Sequence, residues 1–277
     1  MSLSINNVNN SSMVHTLSHH RKKMQNTMRR ISSGEKNNRA SDNPAGLAIR
    51  ELMRSRISAM EQGNRNVQDA SSMMQVADGA MQTINNQLSR MKELAMQASN
   101  GIYSPEQRNI INREYQQVAE EVTRIANTTE FNGIKLLDGS AKDLAIHFGD
   151  GNTGNVDNYP VNIDSVTAQA LGLDAKSPAG DISTQGNAQN ALEAIDNAIE
   201  NVDAVRGSIG AVQNRLDATS ENISVQTVNL RASESRISDA DIVREMVNFM
   251  QEKAMLEGAT AMYSYSLLTN SLVDKKV

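Results

Sequence analysis

Leu192–Ile237 reads LEAIDNAIENVDAVRGSIGAVQNRLDATSENISVQTVNLRASESRI, and its spacing decides the fold. Every seventh residue is aliphatic: Ile195, Val202, Ile209, Leu216, Ile223, Leu230 and Ile237. Such a repeat keeps one seam of a helix turned toward the same neighbour along its whole length. The positions three further on are mixed: Ala198, Val205, Val212, Thr219, Gln226, Ser233 and Ala240. One strong column and one weak column predict a helix that packs closely on one partner and meets a wetter environment beside it. At a rise of about 1.5 Å per residue the helix is roughly 65–70 Å long. An elongated, mainly α molecule is expected, with the rest of the chain supplying what this helix packs against.

A second seam runs through Val67, Ala70, Met74, Ala77, Met81, Ile84, Leu88, Met91, Ala95 and Ala98, in steps of three and four. Asn43-Pro44 opens this helix, with Asn as N-cap and Pro at the first helical position. Asn100-Gly101 is expected to close it with a glycine cap. Ser104-Pro105-Glu106-Gln107 has the form of a capping box, followed by Ile111, Tyr115, Val118, Val122 and Ile125 on a shorter helix. Three seams packed side by side give an antiparallel helical bundle or coiled coil.

Between Glu130 and Gln185 the character changes. Asn132-Gly133 and Asp138-Gly139 are turn dipeptides. Ala141–Phe148 and Tyr159–Ile163 read as short strands around the Gly/Asn-rich turn 150–155. This small β element, over about residues 130–185, is expected at one end of the bundle. Residues 1–42 and 239–277 form terminal helical segments outside the rod of 43–238. Leu17, Met24 and Ile31 repeat at helical spacing in the first, although Asn6, Asn7, Asn9 and Asn10 weaken its opening turns. Met246, Phe249 and Met250 share one side of the second with Ile242, Val243 and Ala254, and its last five residues are expected to fray. Neither end has a core of its own, so each needs a partner.

Composition narrows the chemistry. The chain has no Cys, which excludes disulfides, thiolate catalysis and Cys-based zinc sites. A net charge of −5 gives no broad attraction to nucleic acid or anionic lipid. No 18-residue apolar run spans a membrane, and the N-terminus lacks the pattern of a cleavable signal peptide. His15 and His19 share a helix face, but no Cys or nearby carboxylate completes a metal set. Residues 150–155 fail as a calcium loop, because Gly154 and Asn155 stand where a ligand and the obligatory Gly belong. Asp239, Asp241 and Glu245 flank a helix start, where acids suit the helix dipole. Lys22-Lys23 and Arg29-Arg30 read as a solvated helix face. With no phosphate loop and no nucleophile elbow, neither an enzyme nor a cofactor site is expected.

Several stretches resemble bacterial flagellin. Ile31-Ser32-Ser33-Gly34 followed by Asn38–Ile49 resembles its N-terminal signature, as does Leu88–Gln97. Glu130–Gly139, Gly210–Leu216 and Glu234–Asp241 are similar to its later signatures, in the same order. Lys36-Asn37, Asn43-Pro44 and the stretch Tyr263–Val277 depart from the common pattern. The resemblance implies a subunit that polymerises into the flagellar filament for swimming motility, exported through the flagellar type III apparatus to the cell exterior. With only residues 140–185 free for insertions, the chain is expected to be a short, core-only form. Implied partners are other copies of the chain, an export chaperone, the filament cap and the hook-junction proteins. In some members a Toll-like innate receptor also binds. Arg90, Leu94 and Glu114 match the receptor-contact positions and are expected on the outward face. Assembly is expected to use the seams through Ile195–Ile237, Met81 and Leu88, and the terminal helices. The main rival is a hook–filament junction protein, which shares terminal helices but not the Glu130–Gly139 signature. A ligand-binding or enzymatic bundle would need polar residues converging in the seams.

Overall fold

A computed structural model describes residues 2–151, 153–154 and 157–274, with side chains of the terminal helices described from Ser11 to Leu268. Among the described residues are five helices: α1 (Ser2–Ser33), α2 (Pro44–Ser99), α3 (Pro105–Thr128), α4 (Gln185–Ser238) and α5 (Ile242–Asp274). Four short strands lie between α3 and α4: β1 (Glu130–Phe131), β2 (Ile134–Lys135), β3 (Leu144–His147) and β4 (Asn158–Val161). Asn152 and Asn155 of the Gly/Asn-rich turn, and the last three residues of the tail expected to fray, lie outside the described residues. The chain divides into two compact units, Met1–Ile57 with Val228–Val277, and Ser58–Thr227. The divisions fall inside α2 and α4, whereas the helical breaks expected to bound the ends fall at 34–43 and 239–241.

In the unit Ser58–Thr227, all ten residues of the α2 seam from Val67 to Ala98 are buried. From α4, Ile195, Val202, Ile209, Leu216 and Ile223 join them. Lys92 pairs with Asp196 at 2.5 Å, Asn85 with Asp203 at 2.7 Å, and Asp78 with Arg206 at 2.9 Å. Partner numbers rise on α4 as they fall on α2, so the helices run antiparallel. Helix α3 buries Ile111, Tyr115, Ala119, Val122 and Ala126, while Val118 and Ile125 are only partly covered. The deepest face is therefore turned by one residue from the expected stripe at Ala119 and Ala126.

The helix ends follow local chemistry. Asn43 Oδ1 accepts from the Gly46 N–H at 3.0 Å, which caps α2. Ser104 and Gln107 form the reciprocal capping box at the start of α3. The glycine cap expected at Gly101 does not form, since Gly101 is not among the residues of positive φ. The Arg108 guanidinium takes its place, donating to Ala98 O at 2.9 Å and Asn100 O at 3.1 Å. A side chain of the following helix thus satisfies the last carbonyls of α2.

The hairpins are shorter than the sequence spacing suggests. Strands β1 and β2 pair antiparallel about Asn132 (φ 50°) and Gly133 (φ 78°), the two positive values that a tight two-residue hairpin turn requires. Strands β3 and β4 pair from Leu144↔Val161 to His147↔Asn158. The four strands gather near one end of this unit's helices, beside residues 63–73 of α2, as expected of the β element. Strand β3 lies on α2, where Asn66 Nδ2 donates to His147 O at 2.8 Å. At Gly63 a Cβ would come within 2.1 Å of Phe148 O, so only glycine fits there. The Arg215 guanidinium of α4 stacks over Tyr159 at 4.1 Å. Further on, Ile163, Val166, Leu171, Leu173 and Ile182 are buried, and Asn112 Oδ1 on α3 accepts from Ile182 N–H at 2.9 Å. Beyond the strands, the stretch 163–184 runs on over the helices and buries these apolar side chains against them.

In the unit Met1–Ile57 with Val228–Val277, α1 and α5 pack antiparallel. His20 Nδ1 meets Glu252 at 2.6 Å and Arg30 meets Glu245 at 3.3 Å. Helix α1 begins at Ser2, earlier than its asparagines suggest. The stretch 34–43 is irregular, as its polarity implies, but it is firmly tied. Lys36 N–H donates to Ser238 O at 2.6 Å, and Ala240 N–H to Gly34 O at 2.8 Å. Glu35 accepts from Arg50 and Arg54, each at 2.6 Å, and Arg54 also reaches Glu234 at 2.9 Å. The 7% exposed Arg50 further donates to Asn37 O at 2.9 Å. Asp241 caps α5 through the Arg244 N–H at 3.1 Å.

Candidate assembly surfaces

The expected assembly residues fall into three environments. Ile195, Val202, Ile209, Leu216, Ile223, Met81 and Leu88 are each 7% exposed or less. Their own chain covers them, so they hold the helices of one subunit together and offer no face to a second copy. Leu230 and Ile237 are half-buried in the other unit.

Leu17, Met24 and Ile31 on α1 are also half-buried, with half-buried His20 and buried Thr27 in the same three–four spacing. On α5 the matching line is Glu245, Phe249, Glu252, Leu256, Ala259 and Tyr263. Met246 and Met250 do not join Phe249 on this line: they are 50% and 64% exposed. With Val243 and Val247 they form an apolar patch turned away from α1, and the exposed Met255, Met262, Tyr265 and Leu268 extend the apolar surface along α5. The sequence reading grouped 242–254 as one side because short windows do not separate two adjacent stripes. The signal for the inner line was the charged pair Glu245 and Glu252, whose partners Arg30 and His20 lie at matching positions on α1.

These polar groups shape the interface. The hydrogen bond with His20 holds the Glu252 carboxyl below its ordinary range, helped by nearby Lys23. Arg54 and Arg50 do the same for Glu35, against a smaller opposing effect of burial. A charged layer inside an apolar seam fixes register, since sliding the helices would strand each charge without its partner.

Leu94 is 1% exposed and belongs to the core, contrary to the outward position expected of it. Where α2 meets two helices its buried stripe widens to take in Leu94 beside Met91 and Ala95. Arg90 and Glu114 remain at the surface, joined at 2.6 Å, with Glu93 at 2.8 Å from the same guanidinium. His19 and His20 stack edge to face, and no group of three His, Cys, Asp or Glu suited to a metal occurs among the described residues. No helix among them is long and apolar enough to cross a membrane.

Comparison with known proteins matches residues 5–142 to the bacterial flagellin N-terminal helical region and 192–267 to the bacterial flagellin C-terminal helical region. A flagellin of Halalkalibacterium halodurans is 38% identical over 238 residues, covering 86% of each chain. A flagellar filament 30.7 kDa core protein of Treponema maltophilum is 35% identical over 252 residues, covering 86% of this chain and 87% of that one. A putative flagellar hook-associated protein from Vibrio parahaemolyticus, 16% identical, shares the fold with a TM-score of 0.58 over 72% of this chain and all of its own. With helical regions at both ends of the chain matched and full-length relatives above 30% identity, the chain belongs to the bacterial flagellin family, a family of structural filament subunits and not of enzymes.

Proposed function

We propose that the α1–α5 pair is the inner contact layer of the polymer, and that copies of this chain meet there through the outer face of α5. The flagellin family forms homopolymers, the extracellular filament of the flagellum. The observation that carries the reading is the patch Val243, Met246, Val247 and Met250, 50–74% exposed on a helix whose opposite face is already covered by α1. A single chain leaves this patch in water, and burial between copies removes it at about 25 cal/mol per Å² of apolar surface. Segments 1–42 and 239–277 are accordingly the inner core of the filament. In the free subunit this pair opens more readily than the other helices, because two helices alone bury little.

Around this core the expected partners take their places. An export chaperone covers the C-terminal segment before assembly, and the subunit leaves through the flagellar type III apparatus. The filament cap and the hook-junction proteins meet the same terminal helices at the two ends of the polymer. A Toll-like innate receptor reads the exposed Arg90–Glu114 surface of the subunit.

The test is seeded elongation of the full chain, followed by light scattering and electron microscopy. Met246→Glu with Met250→Glu keeps the monomer's helicity, because both side chains already face solvent, and stops elongation. In parallel, limited proteolysis of monomers is expected to leave a helical fragment of about residues 40–240 that does not polymerise. Normal elongation by the glutamate variant, or by the trimmed fragment, overturns the reading.

A further inference from the structure

Four of the chain's 15 methionines stand on α5. Met246, Met250, Met255 and Met262 are 50, 64, 53 and 68% exposed. Met73, Met74, Met81 and Met91 of the other unit are 4% exposed or less. A thioether is apolar and deformable, which suits a surface that must pack against another copy. It is also the side chain that mild oxidants convert into a polar, chiral sulfoxide. The protein thus carries methionines closed to solvent in the core and methionines open to it, and four of the open ones, beside Met28 and Met96, stand on α5.

We propose that α5 is an oxidation site: hydrogen peroxide converts its exposed methionines to sulfoxides in the free subunit, and the modified face no longer joins another copy. This rests on the assembly reading of α5 given above. In the step, a sulfur lone pair attacks one peroxide oxygen, the S–O bond forms and the O–O bond breaks. The departing oxygen leaves as water once proton transfer is complete. Sulfur is oxidised by two electrons and the peroxide is reduced by two. The reaction needs no residue of the protein as acid or base, so access to sulfur sets its rate.

Position determines the consequence. Met246 and Met250 sit among Val243 and Val247, so a sulfoxide there places a strong acceptor in an apolar contact. Met255 and Met262 stand about a third of a turn around the helix from that patch, so Met246 and Met250 carry the loss of contact. At Met246 and Met250 the change leaves the α1–α5 seam alone, since Phe249, Glu252 and Leu256 face the other way, whereas Met262 lines a cavity with Met13 of α1 at the edge of the pairing. The oxidised subunit therefore keeps its helices and loses only its ability to join. Enzymatic reduction of the sulfoxides restores it.

The experiment treats purified full-length monomer with hydrogen peroxide, maps sulfoxides by peptide mass spectrometry, and then measures seeded elongation. The α5 methionines are expected to oxidise about tenfold or more faster than Met74, Met81 and Met91, which react only on opening of the core. The critical concentration for elongation is expected to rise about tenfold or more, the equivalent of about 1.4 kcal/mol in the contact. A variant with all four α5 methionines changed to Leu is expected to elongate equally before and after peroxide, although Met28 and Met96 still oxidise. Methionine sulfoxide reductases acting on the treated wild-type chain are expected to return its elongation. Undiminished elongation by the oxidised wild-type chain overturns the inference, as does equal peroxide sensitivity in the Leu variant. The untreated glutamate variant separates the two readings. If it elongates normally, the assembly role of α5 fails; if it is blocked while oxidised wild-type chains still elongate, only the oxidation inference fails.

Discussion

The Tyr115 hydroxyl of α3 donates to the Ala179 carbonyl, 64 residues further along, at 2.8 Å inside the core. This bond fastens the irregular stretch before α4 to the helices it covers. Burial pushes the Tyr115 phenol up, which favours its protonated, donating form. Tyr115→Phe keeps the ring and leaves the Ala179 carbonyl unpaired, which is expected to cost about 1–3 kcal/mol. Tyr115→Ala also opens a cavity and is expected to cost about 3–5 kcal/mol. Urea melts followed by circular dichroism check both, and equal midpoints for the Tyr115→Phe variant and wild type would show that the bond holds nothing.

Leu216 lies mid-column on α4 and is 1% exposed, while Val225 on the same helix is 55% exposed. Leu216→Asp buries a carboxylate with no partner and is expected to cost on the order of several kcal/mol. Val225→Asp is expected to stay within about 0.5 kcal/mol. Thermal melts of the two variants side by side measure the difference between a seam position and its outer face.

Acid is expected to loosen the terminal helices. Arg54 and Arg50 lower the Glu35 carboxyl, and His20 with Lys23 lowers that of Glu252, each from an ordinary value of 4.5. A carboxyl held lower in the folded chain stabilises it fully above its unfolded value. That contribution fades as pH falls through the folded value. Loss of the α1–α5 pairing is therefore expected to begin below about pH 4.5. Glu35→Gln and Glu252→Gln are expected to lower stability at pH 7 and to flatten its decline toward acid, read by denaturant melts across pH.

Arg90 and Leu94 are neighbours on α2 with separate fates. Leu94→Ala empties a core position and is expected to cost about 2–5 kcal/mol. Arg90→Ala breaks an exposed pair with Glu114, and its melting temperature is expected to match wild type. In a receptor reporter assay Arg90→Ala is expected to lower the signal at unchanged stability, whereas the Leu94→Ala signal follows the loss of fold. Monomers are expected to signal and cross-linked filaments to stay silent. Equal signals from the two forms would show that assembly does not cover this surface.

The helices were legible in the sequence because seam spacing repeats over tens of residues. Every position of the α2 column from Val67 to Ala98 is buried, as that spacing implies, and the Asn43 cap, the Ser104 capping box and the Asn132-Gly133 turn arise from local hydrogen bonding alone. Local pattern also carried the family, through signatures such as Glu130–Gly139. Tertiary packing decided what spacing could not. It drew Leu94 inside, because a third helix widened the buried stripe, and it let Arg108 replace a glycine cap across a turn. It laid residues 163–184, beyond the strands, along the helices, where Ile163, Val166, Leu171, Leu173 and Ile182 are buried. On α5 it chose Phe249 over Met246 and Met250 for the face against α1, since the pairs Arg30–Glu245 and His20–Glu252 fix the helix rotation. A side chain's neighbours along the chain set its helix, but its exposure depends on which other helices arrive, and that information is spread across residues 200 or more positions apart.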